Sequence, residues 1–78
     1  MEPERLRARF PSLTDEDLDA YTAVTRRVLI DPGRRGRVMA EVMAAAQRAR
    51  ELESAGAEVP EEEALALRYL RAVAKMQG

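Results

Sequence analysis

The sequence predicts an all-α fold: a small bundle of three main helices, a helical hairpin plus a returning third helix, preceded by a short N-terminal helical turn. Three observations predict it. Apolar residues recur at helical spacing through three long segments. Residues that start or stop helices bound those segments, among them Thr14, Asp31-Pro32, Gly56 and Pro60. The linker AGAEVP at 55–60 is short, which makes the helices on either side of it antiparallel neighbours. The expected layout is one domain over 1–78, with an arm at 1–11 and helices at 14–30, 32–55 and 60–77.

The arm carries Pro3, suited to a first helical position, and Pro11, which stops the turn. Leu6 and Phe10 stand four residues apart and share a face. They read as two apolar anchors that close the core of their own chain.

The helix at 14–30 has the clearest start. Thr14 is a good N-cap, and Asp17 three residues on resembles a capping box. Leu13 and Leu18 occupy the positions of a hydrophobic staple. Asp15, Glu16 and Asp17 put negative charge where the helix dipole favours it. Leu18, Tyr21, Thr25, Val28 and Leu29 fall on one side, with Val24 at its edge and Asp19, Arg26 and Arg27 opposite.

The helix at 32–55 starts at Pro32 behind a capping Asp31, or at Arg37 if 31–36 is a loop. Gly56 is a natural residue to end it. Val38, Val42, Ala45, Ala49 and Leu52 are spaced 4, 3, 4, 3, a heptad seam whose alanines let a neighbouring helix come close. Met39, Met43 and Ala46 widen it. Pro60 opens the last helix, and Glu61, Glu62 and Glu63 load its first turn with charge. Leu65, Tyr69, Ala72 and Met76 form one stripe; Leu67, Leu70 and Ala74 form another; Arg68, Arg71 and Lys75 share a narrow polar face. An apolar arc of more than half the circumference requires more than one neighbour, as a central helix or as an intermolecular interface.

Composition narrows the function classes. A chain of 78 residues buries only about 60% of its unfolded surface, so its core is marginal. Without cysteine or histidine it has no disulfide and no thiolate or imidazole metal site, which leaves oligomerisation as the expected support. The missing cysteine, the absence of a signal-peptide core and the absence of any apolar run near ~20 residues point to a soluble cytoplasmic protein outside the membrane. The dominance of Arg over Lys (Lys75 alone) and the lack of asparagine fit a GC-rich bacterial genome. A net charge of −1 is not the footprint of a general nucleic-acid binder.

Catalysis is not expected. The usual base and thiol are absent, the serines are Ser12 and Ser54 only, and no phosphate-loop, dinucleotide or nucleophile-elbow motif occurs. No cofactor is implied. Asp15 and Asp19 in DEDLD stand at the spacing of a hard-cation pair, but lack a calcium-loop pattern. Dipole compensation accounts for them without a metal. Glu61–Glu63 have the same explanation.

Two surfaces remain. The first is a protein–protein interface for a second copy or another helical protein, built from Leu65, Tyr69, Ala72 and Met76 with Val42, Ala45 and Ala49 as the close-packing seam. The second is the stretch around DPGRRGR. Arg26, Arg27, Arg34, Arg35 and Arg37 beside two glycines and a helix start are candidate contacts for a phosphate or nucleic acid. Solvation and Asp31 account for the same arginines without a ligand. The P-G-x-x-G there departs from the P-G-hydrophobic-G of helix-hairpin-helix DNA-binding motifs, because Arg34 and Arg35 both lie between the glycines. The expected function is a small, non-catalytic, self-associating interaction module, with a nucleic-acid or phosphate-binding regulator as the alternative.

Overall fold

The computed structural model describes residues 3–77, so the first two residues of the expected arm lie outside it. The described residues form α1 (Pro3–Arg9), α2 (Asp15–Ile30), a 3-10 turn (Pro32–Arg34), α3 (Arg35–Ser54) and α4 (Glu61–Gln77), with no strand among them. The all-α fold with three long helices and a short leading one is as the sequence predicts.

Local chemistry sets the helix ends. Thr14 takes an extended backbone (φ −87°, ψ 170°) and its Oγ1 accepts the Asp17 N–H at 3.1 Å. Asp17 Oδ2 in turn accepts the Thr14 N–H at 3.0 Å. This is a reciprocal capping box with Asp in the place usually held by Glu or Gln. Leu13 and Leu18 are both buried, as a staple requires.

At the α2–α3 turn, the Arg34 N–H reaches the Asp31 carbonyl at 3.0 Å, and the Arg35 N–H reaches that of Pro32. The Asp31 side chain makes no capping bond, so α3 starts between the two expected positions, Pro32 and Arg37. Helix α3 ends in a Schellman motif: Ala57 N–H to Leu52 O at 2.9 Å and Gly56 N–H to Glu53 O at 3.0 Å. Gly56 supplies the left-handed conformation this requires, at φ 72°.

Most tertiary packing runs through α4, which lies against both α2 and α3. The broad apolar arc of α4 is therefore spent on two neighbours inside the chain. Against α2 it runs antiparallel: Lys75 meets Asp17, Tyr69 stacks on Tyr21, and Ala66 shares a core cluster with Val24. Against α3 it crosses. Tyr69 and Arg71 point to opposite sides of α4, yet they reach Met39 and Glu53, which lie ~21 Å apart along α3. The extents of 37 × 31 × 20 Å fit two layers of helix, each ~10 Å deep.

Two core clusters result. The larger joins Val24 of α2, Val38, Val42, Ala45, Ala46 and Ala49 of α3, and Ala66 and Leu67 of α4. Ala49 is fully covered, so the alanine seam does bring a helix close, and that helix is α4 of the same chain. The smaller cluster gathers Leu6, Leu13, Leu18 and Ala72, with Phe10 and Met76 at its edge. Leu6 and Phe10 thus anchor the arm on its own core, as expected.

One expectation is corrected. The buried residues of α2 are Asp17, Leu18, Ala20 and Val24, with Tyr21, Thr25 and Val28 half-buried. Val24 is central, 2% exposed, while Leu29 is 69% exposed. Leu18, Tyr21, Thr25 and Val28 lie on the covered side as expected; the covered face extends past them to Asp17, Ala20 and Val24, and Leu29 falls outside it.

Candidate interaction surface

Of the five arginines near the α2–α3 turn, Arg27, Arg34 and Arg37 line one shallow groove, and Arg26 and Arg35 lie apart from it. Arg27 pairs with Glu41 at 3.1 Å, and Arg34 with Asp31 at 3.5 Å. Arg37 lines the same shallow groove as those two, beside Glu41 and Asp31. Arg35 projects ~200° away from Arg37 around α3 and lies near Tyr69. Arg26 sits on the outer side of α2 with Tyr21, Thr22, Thr25 and Leu29. Helical phase sets Arg26 and Arg35 apart from the other three. Two of the five are matched by carboxylates of their own chain.

The residues expected at an interface also divide. Val42, Ala45, Ala49 and Ala72 are buried in the chain's own core, at 3%, 6%, 0% and 0% exposure. They are occupied by α4 and by the arm, so as a surface for a separate partner these four are withdrawn. Leu65, Tyr69 and Met76 are half-buried. Tyr69 stacks on Tyr21 with ring centroids 6.0 Å apart and planes 20° from parallel. Its hydroxyl lies 4.0 Å from Met39 Sδ. Burial raises the Tyr69 phenol above its ordinary value; Tyr21 adds to the rise and the Arg35 charge opposes it.

Among the described residues, three large hydrophobic side chains are exposed: Leu29 at 69%, Ile30 at 78% and Met43 at 55%. Sequence periodicity missed Leu29 by assigning it to the covered side. The outer face of α2 carries two concavities that share Thr22. One is lined by Tyr21, Thr22, Thr25, Arg26 and Leu29. The other is acidic, lined by Glu4, Asp15 and Asp19 around Leu18 and Thr22, with Arg7 at its edge. Arg7 is engaged by Asp15.

Among the described residues the one buried charged side chain is Asp17, 6% exposed. Its Oδ2 lies 2.5 Å from Lys75 Nζ. Burial alone raises an acid of this kind. The Lys75 hydrogen bond, the Thr14 backbone and side-chain bonds and the Lys75 charge outweigh it and hold Asp17 below the usual carboxylate range. This pair ties α4 to the start of α2. Among the described residues no three His, Cys, Asp or Glu side chains converge as a metal site would require. No helix among them is long and apolar enough to cross a membrane.

No protein-family model matches the chain, and neither a curated protein nor a solved structure matches it.

Proposed function

We propose that this chain is a small, non-catalytic helical interaction module that self-associates, and that it works in the cytoplasm, where a protein without cysteine loses nothing. One observation carries the reading. Leu29 and Ile30 close an otherwise amphipathic helix with two bulky apolar side chains left in water, 69% and 78% exposed. Covering a Leu or Ile side chain is worth about 1.5–3 kcal/mol, a large increment for a domain of this size. The composition adds that oligomerisation is the support still open to such a chain.

The nucleic-acid alternative has weaker support: of Arg26, Arg27, Arg34, Arg35 and Arg37 only Arg27, Arg34 and Arg37 share a groove, and Glu41 and Asp31 offset their charge there. The test is Leu29→Asp combined with Ile30→Asp, followed by light scattering. Both positions are exposed, so the variant keeps its helical circular dichroism. The reading expects a loss of self-association. A wild-type-like mass in the folded variant would refute it.

A further inference from the structure

We infer that two copies of this chain pair antiparallel through the outer face of α2, with Asp19 of each copy against Arg26 of the other and Thr22 beside the two-fold axis. The inference rests on the self-association reading and names its surface.

The outer face is self-complementary. At ~100° per residue, Asp19, Thr22 and Arg26 line up along one side of α2, opposite the buried Ala20 and Val24. Asp19 and Arg26 are exposed and, among the described residues, neither is in an ion pair. In an isologous contact, residue i meets j and j meets i. Reversing a second α2 about the midpoint between Thr22 and Ala23 brings Asp19 opposite Arg26 twice.

The same reversal sets the concavity of Tyr21, Thr25, Arg26 and Leu29 over the acidic one of the second copy. Arg26 then approaches Asp19, with Glu4 and Asp15 nearby. Leu29 comes to the hollow floored by Leu18. A parallel pairing would instead put Asp19 against Asp19 and Arg26 against Arg26. The charge order therefore selects the antiparallel arrangement and a copy of itself as occupant.

Two experiments on the full chain test it. In the first, Asp19→Arg and Arg26→Asp are prepared separately. Each alone places like charges at two reciprocal contacts and weakens self-association at least about tenfold. Mixed together they form a heterodimer, because both contacts are then opposite in sign. The double variant restores the homodimer.

In the second, Thr22→Cys is oxidised with glutathione disulfide. Helices packed ~8–10 Å apart bring facing Cα atoms to within ~3.4–5.4 Å, which overlaps the ~4.4–6.8 Å span of a disulfide. The chain has no other cysteine, so Thr22→Cys gives a covalent dimer and Gln47→Cys, on exposed α3, does not. A wild-type dimer that ignores the charge reversals and does not cross-link at residue 22 would overturn this surface and leave self-association standing. A wild-type monomer at every concentration would overturn both.

Discussion

Lys75 Nζ lies 2.5 Å from Asp17 Oδ2, joining residues 58 positions apart and fastening the end of the chain to the first turn of α2. The same Asp17 oxygen accepts the Thr14 N–H, so one carboxylate serves both a helix cap and a helix–helix contact. Lys75→Met removes the charge partner and leaves the capping bonds. Part of the lysine side chain is solvated, so the expected loss is moderate, about 1–2 kcal/mol. Asp17→Ala removes cap and pair together and should cost about 2–3 kcal/mol. Urea unfolding of the two variants would show whether the order is as stated.

The pair also sets an acid limit. The folded value of Asp17 is held below its unfolded value, which is about 3.9. Its contribution is therefore fully present above pH ~4 and is lost as pH falls through the folded value. Asp17→Asn does not titrate. The stability gap between wild type and Asp17→Asn should be constant from pH 5 to 7 and shrink below about pH 4. A gap that widens on acidification would contradict the direction assigned to Asp17.

Gly56 holds φ 72° at the end of α3, and nothing lies within 4 Å of where a Cβ would stand. The cost of Gly56→Ala is thus conformational alone, about 1 kcal/mol. Thermal unfolding would measure it. At Gly36, inside α3, the surroundings are equally open without a positive φ. Gly36→Ala should stabilise the chain, by up to about 1 kcal/mol. The two substitutions separate the two roles of glycine within one helix.

Ala49 and Ala72 are fully covered where α4 meets α3 and the arm. Leucine at either position has no room and should cost about 1–3 kcal/mol or more. The same change at exposed Ala40 should be close to neutral. Ala49→Leu with wild-type stability would mean that α4 does not approach α3 as closely as described.

The helices and their ends were legible because each signal is local. Thr14 with Asp17, Leu13 with Leu18, Gly56 and Pro60 act within a few residues of themselves. The α3 seam was legible too, since its period is regular. Its occupant was not, because spacing says that a face is covered without saying by which helix. The breadth of the α4 apolar arc called for two neighbours, and α2 and α3 of the same chain fill that role. The α2 stripe was drawn too narrow on one side because Asp17 looks like surface. Only its pairing with Lys75, distant in sequence, makes it a core position. The arginines were legible only in part: five within twelve positions look like one patch, yet helical phase sets Arg26 and Arg35 apart, and Glu41 and Asp31 offset the charge of the three that share a groove.

The most direct test of the self-association account is the solution molar mass measured by light scattering across a concentration series. The account predicts a mass that rises from 8.7 kDa toward twice that value, and a folded Leu29→Asp, Ile30→Asp variant that stays at 8.7 kDa. A wild-type chain that remains at 8.7 kDa up to about 1 mM, where even ~4 kcal/mol of association would register, would contradict it.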